Sequence, residues 1–221
     1  MSPIAAVVFD FDGLILDTEE PIYVALREVW AEHGHDLTIE MWAQSIGTNS
    51  ETAFDATAEL NRLAGTDYTE GGLTPRVRAR IAELLAGADV LPGVLEWVAE
   101  AEARGLGVAI ASSADRAWIV EHLERLGHLE RFPVVSCYDD VGVYKPDPAA
   151  YLAACERLGV EPSAALAIED SVPGLTAAKA AGLWVVAVPT AMTRHLDFSA
   201  ADLVVESLAH VTLADVIARL A

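Results

Sequence analysis

The chain has 221 residues, of which 53% are hydrophobic and 7% aromatic, and its formal net charge is -20 at pH 7. A chain of this length can bury a full hydrophobic core, either as one domain or as a domain that carries an insertion. Because 34 acidic side chains oppose 14 basic ones, nucleic acid and anionic membrane surfaces would be repelled, and we expect neither as a partner.

No segment reaches 18 consecutive apolar residues, and the first residues lack the basic and apolar regions of a secretory signal. The two cysteines, Cys137 and Cys155, do not have the spacing of a metal site, so we interpret them as reduced thiols. These features favour a cytoplasmic protein.

The first predicted element is a strand over residues 4–9, which are all apolar and therefore typical of a central position in a sheet. From Asp89 onward, short β-branched runs alternate with alanine-rich helical stretches. Strands are predicted at 106–113, 133–138, 165–170, 184–189 and 201–206. Helices are predicted at 115–127, 146–159, 172–181 and 208–220. This alternation predicts an α/β fold, with a parallel sheet covered by helices on both faces.

Residues 17–88 interrupt this alternation with helical patterns and no convincing strand. The helical patterns cover residues 18–34, 37–46, 50–64 and 73–87. We interpret the segment as an inserted α-helical cap, so that residues 1–16 and 89–221 together form the core. Open α/β sheets bind ligands at the carboxyl ends of their strands, and the cap is expected to lie over that edge.

Polar side chains follow several predicted strands at the point where each strand ends, and a lysine lies in a loop between two of them. These residues are Asp10, Asp12, Ser112, Ser113, Lys145, Glu169 and Asp170. One polar strand end can arise by chance, but parallel strands bring their carboxyl ends to one edge of the sheet. A group of such residues at that edge therefore indicates a site for chemistry.

The residue types at this edge fit phosphoryl transfer through an aspartyl-phosphate. A carboxylate attacks phosphorus only where its repulsion from a dianionic phosphate is cancelled, and Mg²⁺ bound by oxygen ligands does this. Asp10 and Asp170 are the predicted carboxylate ligands, together with the backbone carbonyl of Asp12. Glu169 is expected at the metal as well, holding a metal-bound water.

Hydroxyl and ammonium groups complete the predicted site. Ser112 and Ser113 are suited to hold phosphate oxygens beside a helix start, and Lys145 supplies a point charge against phosphate and Asp10. The chain contains 12 arginines but only two lysines, which suggests that an ammonium group is needed at Lys145. The second lysine, Lys179, lies on a predicted helix and reads as a solvated surface residue.

The segments "DFDGLILDTE", "IASS", "KPDP" and "IEDSVPG" resemble, in order and spacing, the four motifs of the haloacid dehalogenase-like hydrolase superfamily. The similarity is to the subgroup with phosphoglycolate phosphatases and β-phosphoglucomutase. It implies a Rossmann-like core with a helical cap after the first motif. It also implies a set of roles: Asp10 as nucleophile, Asp12 as general acid and base, Ser112 for phosphate binding, Lys145 for charge balance, and Glu169 with Asp170 at Mg²⁺.

Three other functions fit the sequence less well. A dehalogenase needs no second acid, whereas an alkoxide leaving group needs a proton that Asp12 can give. Sugar phosphomutases share every core motif, but the mutases that this chain resembles grip the sugar with a cap histidine and a cap arginine, and Ile22 and Ser50 occupy those positions here. Non-enzymatic receiver domains lack a helical insertion. The prediction is therefore a phosphatase, with a β-phosphoglucomutase-like enzyme as the alternative.

The cap is expected to select the substrate. Residues 17–88 hold 5 basic and 13 acidic residues, so their net charge is 5 − 13 = -8, and the arginines of "RVRAR" are interpreted as solvated. A small-molecule phosphate ester with a neutral remainder, such as a sugar or polyol phosphate, is predicted. Thr48, Asn49 and Ser50 are the candidates for hydrogen bonding to that remainder.

Two further side chains receive only structural interpretations from the sequence. Trp118 lies on an apolar helix face, which favours packing in the core. His122 is interpreted as a surface or boundary residue.

Overall fold

The computed structural model describes residues 4–46, 54–68 and 75–220. In this part of the chain, six parallel strands form one sheet in the order β3-β2-β1-β4-β5-β6. The strands are β1 (Ala6–Phe9), β2 (Gly107–Ala111), β3 (Val134–Ser136), β4 (Ala165–Glu169), β5 (Trp184–Ala187) and β6 (Leu203–Val204). Each lies inside a predicted strand, and β1 is central and fully buried, as its composition predicts. The strand order reverses at β1, which makes its carboxyl end the expected ligand site.

Helices cover both faces of the sheet. Those that follow β1 are α1 (Glu19–Glu32), α2 (Ile39–Trp42), α3 (Ala56–Ala64), α4 (Pro75–Leu85) and α5 (Val94–Ala103). The remaining ones are α6 (Arg116–Leu126), α7 (Tyr138–Val141), α8 (Ala149–Leu158), α9 (Val172–Ala181) and α10 (Leu213–Leu220). One apolar core holds α5, α6 and α10 against Val7 and Phe9 of β1. The other holds α8 and α9 against Ala6 and Val8. The predicted α/β class is confirmed.

The segment between β1 and α5 contributes no strand to the sheet among its described residues. Helix α1 packs against α4, and side-chain caps begin α2 and α3: Thr38 Oγ1 accepts from the Met41 N–H, and Asp55 accepts from the N–H groups of Thr57 and Ala58. The division into a core of 1–16 and 89–221 and a cap of 17–88 stays a prediction.

Two helices were not predicted from the sequence. Helix α5 has its buried residues Val94, Trp97, Val98 and Ala101 at helical spacing, so the pattern was present and was missed. Helix α7 is only four residues long, which is too short for periodicity to reveal.

Cys137 and Cys155 are buried and free. Among the helices of residues 4–46, 54–68 and 75–220, none is both long and apolar enough to cross a membrane.

Candidate active site

The predicted polar residues meet at the carboxyl edge of β1, β2 and β4. Asp10 directly follows β1, and its N–H donates to the carbonyl of Ile168 in β4 (3.0 Å), so the register of the sheet sets its position. Glu169 is the last residue of β4 and Asp170 follows it. All three carboxylates are buried, with 5% of Asp10, none of Glu169 and 1% of Asp170 exposed.

Lys145 is the buried cation at the centre of this group. Its Nζ donates to Asp10 Oδ1 and to Glu169 Oε1, each at 2.6 Å, and only 2% of the residue is exposed. Burial opposes the charged ammonium, but the two carboxylates outweigh that penalty and raise the pKa of Lys145 above its ordinary value. Tyr151 Oη also donates to Glu169 Oε1 (2.5 Å). Lys145 therefore holds the nucleophile candidate and the second carboxylate in one fixed arrangement.

The three carboxylates carry more negative charge than Lys145 can offset. Burial and the neighbouring charge of Glu169 raise the pKa of Asp10 to about 7, against the lowering influence of Lys145. Burial, then the charges of Asp10 and Glu169, raise the pKa of Asp170 well above its ordinary value. Such shifts mark a site that favours an additional positive charge.

The donor set fits a divalent cation. Asp10, Glu169 and Asp170 each offer a carboxylate oxygen, and these oxygens lie within 4.8 Å of one another. Both oxygens of Asp170 are buried and accept no hydrogen bond within the described part of the chain, a costly arrangement unless a cation offsets it. Gly13 permits this close packing, because a Cβ there would lie 2.2 Å from Asp170 Oδ2. The buried acidic cluster can therefore bind a divalent metal.

Asp12 is held by two hydrogen-bond donors. Thr18 Oγ1 (2.8 Å) and Trp118 Nε1 (2.9 Å) both donate to Asp12 Oδ1, while Oδ2 accepts no hydrogen bond from residues that the structure describes. Burial raises the pKa of Asp12, and the hydrogen bonds from Trp118 and Thr18 act in the opposite direction. Asp12 lines the cavity above the site, so Oδ2 is its available oxygen.

The interpretation of His122 was wrong, and that of Trp118 was incomplete. His122 is buried, with 7% exposed. Trp118 is half-buried and packs against the apolar core, and it also lines the cavity. Helix α6 begins shortly after β2 ends, so its first turns face the site. Helical spacing marks an apolar face but does not tell whether that face meets the core or a cavity.

The two serines occupy the turn after β2. Ser112 Oγ accepts from the Ala114 N–H (3.0 Å), and Ser113 Oγ accepts from the Lys145 N–H (3.1 Å). Both serines line the cavity. Because each hydroxyl accepts in these bonds, its own O–H stays available to donate to a phosphate oxygen.

A cavity of about 820 Å³ opens above these residues. On the side formed by the helical segment, it is lined by Glu19, Ile22, Ser45, Arg78, Ile81, Ala82 and Leu85. Ile22, at the position where the mutases have a histidine, thus presents an apolar side chain to the cavity. The candidate residues Thr48, Asn49 and Ser50 lie outside the described residues.

The three arginines of α4 differ in their surroundings. Arg76 pairs with Glu32 and Arg80 pairs with Glu28, both on α1. Arg78 lines the cavity and forms no ion pair with any residue of the described ranges. Arg78 is exposed, as interpreted, and its place in the cavity wall also brings it within reach of a molecule bound there.

Sequence reasoning assigned no role to Glu19 or Tyr151. Glu19 begins α1 and lines the cavity, and burial, then the charges of Asp12 and Asp10, raise its pKa to about 8. Tyr151, on α8, is fully buried beneath Glu169. Glu19 lies in the first motif and could have been noticed, whereas the contact of Tyr151 depends on how α8 packs under the sheet.

Comparison with known proteins gives consistent matches over most of the chain. The profile of the haloacid dehalogenase-like hydrolases matches residues 4–182. YhcW of Bacillus subtilis (strain 168) is 40% identical over 211 residues, 96% of this chain and 95% of that protein. A phosphorylated carbohydrates phosphatase of Thermotoga maritima is 30% identical over 178 residues, 80% of this chain and 82% of that one.

A solved structure supports the same relationship. CbbY from Rhodobacter sphaeroides, crystallised in complex with phosphate, aligns with a TM-score of 0.71 at 31% identity. The alignment covers 96% of this chain and 98% of that one. The similarity therefore includes the helical segment as well as the sheet.

Proposed function

We propose that this chain, which belongs to the haloacid dehalogenase-like hydrolases and acts on small phosphate esters, hydrolyses a sugar or polyol monophosphate in an Mg²⁺-dependent reaction. The observation that carries the proposal is the Lys145 ammonium between Asp10 and Glu169, beside the Asp170 carboxylate, which accepts no hydrogen bond from the residues that the structure describes. A nucleophilic carboxylate, a fixed cation and a metal-binding cluster together suit phosphoryl transfer.

Asp10 is the proposed nucleophile. Lys145 occupies its Oδ1, which leaves Oδ2 to form the bond to phosphorus. The hydroxyls of Ser112 and Ser113 donate to the phosphate oxygens and, with Lys145, hold the phosphoryl group in line. As the Asp10 Oδ2–phosphorus bond forms, the bond to the ester oxygen breaks and the alcohol leaves.

Asp12 is the proposed acid and base. Its Oδ2 gives a proton to the departing ester oxygen and later takes a proton from the water that attacks the phosphoryl group on Asp10. The bond from phosphorus to Asp10 then breaks and inorganic phosphate leaves. Asp12 is thereby protonated again, so one ester and one water give one alcohol and one phosphate.

The proposed Mg²⁺ would be held by Asp10, Asp170 and the backbone carbonyl of Asp12. When bound, it supplies positive charge that offsets the repulsion between the Asp10 carboxylate and the phosphate. Glu169 is proposed to act through a metal-bound water, because Lys145, Tyr151 and Ser171 already donate to its two oxygens.

Residues 17–88 are proposed to form the substrate-selecting cap over a core of 1–16 and 89–221. The cavity contacts of Glu19, Ile22 and Arg78 support this division. The apolar Ile22 favours a phosphatase over a sugar phosphomutase, whose cap grips the bound sugar. We also place the enzyme in the cytoplasm, which the free thiols support.

The substrate proposal is tested with a panel of phosphate esters assayed with Mg²⁺, in the parent and in Arg78→Gln. We expect the highest kcat/KM for sugar and polyol monophosphates whose remainder is neutral. For these substrates, Arg78→Gln should change kcat/KM by less than about threefold, since no ion pair with the substrate is lost. Arg76→Gln is the matched control, because Arg76 lies on the same helix and pairs with Glu32 away from the cavity.

Two outcomes would contradict the proposal. Preference for a bisphosphate or phosphocarboxylate that disappears in Arg78→Gln, but not in Arg76→Gln, would show that the cap binds a second anionic group. Absence of turnover on every ester, including p-nitrophenyl phosphate, would overturn the phosphatase function itself.

A further inference from the structure

We propose that Trp118 is a positioning residue for Asp12, whose indole N–H holds one carboxylate oxygen so that the other is presented to the leaving group. This inference rests on the acid–base role proposed for Asp12. Neither the sequence motifs nor the likeness to known proteins assigns a part in the reaction to this tryptophan.

The geometry separates the two oxygens of Asp12. Trp118 Nε1 and Thr18 Oγ1 both donate to Oδ1, at 2.9 and 2.8 Å. The terminal torsion of an aspartate is broad and nearly two-fold, so a single donor leaves the carboxylate free to reorient. Two donors from separate parts of the chain, one in the loop after β1 and one on α6, restrict that rotation and leave Oδ2 as the oxygen without a donor among the described residues.

Trp118 is itself held in place by His122, one turn further along α6. The two rings lie 4.1 Å apart between centroids, and His122 Nδ1 lies 2.8 Å from the Trp118 carbonyl oxygen. Because a carbonyl only accepts, Nδ1 carries the hydrogen in this bond. On its other side His122 contacts Phe11, between Asp10 and Asp12, with ring centroids 6.4 Å apart. These tilted and edge-on ring contacts tie the indole to the loop that carries Asp12.

Satisfying the indole N–H does not by itself explain the contact. Trp118 is half-buried and lines an open cavity, so this side chain is not sealed inside the core. We therefore interpret the hydrogen bond as one that orients the Asp12 carboxylate. The orientation of this carboxylate affects the rate only in the steps in which Asp12 transfers a proton.

Two substrates with different leaving groups distinguish a positioning role of Trp118 from a purely structural one. The departing alkoxide of an alkyl phosphate needs a proton from Asp12, whereas p-nitrophenolate is stable without one. The kcat/KM value reports the steps through formation of the phosphoryl group on Asp10, before the water step that both substrates share. Disorientation of Asp12 should consequently lower kcat/KM for the alkyl ester and spare the aryl ester.

The test is Trp118→Phe, assayed by kcat/KM on glycerol phosphate or a better alkyl substrate and on p-nitrophenyl phosphate. We expect a fall of about tenfold on the alkyl ester, a part of the full general-acid contribution. On the aryl ester we expect a change of less than about threefold. The ratio of kcat/KM on the alkyl ester to kcat/KM on the aryl ester is independent of the folded fraction. Thr18→Val removes the other donor to Asp12 Oδ1 and should shift this ratio in the same direction.

Trp184→Phe is the matched control, because Trp184 is also half-buried but lies at the amino end of β5, away from the cavity; its ratio should equal the parent's. An equal loss on both esters in Trp118→Phe, or no loss on either, would overturn the positioning role. The variant Asp12→Asn then shows which proposal has failed. If Asp12→Asn also lowers kcat/KM equally on the alkyl and the aryl ester, the acid role proposed for Asp12 fails. If Asp12→Asn lowers kcat/KM on the alkyl ester alone, only the inference about Trp118 fails.

Discussion

Replacement of Asp10 by asparagine is expected to lower kcat by about 10³-fold or more, the order of loss when a covalent nucleophile is removed. An amide is a poor nucleophile and a poor ligand for a divalent cation. The measurement is the initial rate on p-nitrophenyl phosphate with Mg²⁺, with circular dichroism to verify that the variant is folded.

Asp115→Asn is the matched control for this substitution. Asp115 also lines the cavity, but it is exposed and has no part in the proposed reaction, so its variant should keep the parent rate to within about threefold. Activity of Asp10→Asn within tenfold of the parent would be incompatible with a covalent role for Asp10.

Replacement of Asp12 by asparagine is expected to lower kcat on an alkyl phosphate by about 10²- to 10⁴-fold, the usual contribution of general acid–base catalysis. With p-nitrophenyl phosphate, phosphorylation of Asp10 should still proceed, but the attacking water would lack its base. The phosphorylated protein should therefore accumulate, and acid quenching followed by mass spectrometry of the peptide that contains Asp10 measures it.

One outcome for Asp12→Asn would contradict the role of Asp12 as the base. Fast release of phosphate without any phosphorylated peptide would show that another group serves as the base. Glu19 is an alternative, because it lines the same cavity. Burial and the charges of Asp12 and Asp10 raise its pKa to about 8.

Much of the core site could be predicted from the sequence, because the position of each carboxylate depends on the strand that it ends or follows. Asp10, Glu169 and Asp170 each stand at the end of a buried strand, and parallel strands carry such residues to one edge of the sheet. Their burial and the metal-binding geometry of their oxygens follow from that placement. Their roles in the reaction stay predictions.

The contacts that were missed join different elements of the fold. The bond from Trp118 to Asp12 spans 106 positions, and the bond from Tyr151 to Glu169 joins a helix to the strand above it. A sequence pattern shows that these aromatic residues lie on apolar faces, but only the packing of α6 and α8 decides which polar atom each one reaches.

The spacing of the three arginines on α4 contains information that the sequence analysis did not use. Arg76 and Arg80 are four residues apart, so they share a helix face, and both reach acidic residues of α1. Arg78 lies between them, on a different face of the helix. Helical spacing alone thus separates Arg78 from its neighbours, although only the structure shows that its face meets the cavity.

The fate of the phosphoryl group on Asp10 tests the central claim most directly, because it separates transfer to water from return to a bound sugar. The measurement follows β-glucose 1-phosphate, with Mg²⁺ and a trace of the 1,6-bisphosphate, by ³¹P NMR. If the cap with Ile22 does not retain a sugar bisphosphate, inorganic phosphate should form or the sugar phosphate should stay intact, and no glucose 6-phosphate should appear. Accumulation of glucose 6-phosphate faster than inorganic phosphate would contradict the phosphatase and identify a mutase.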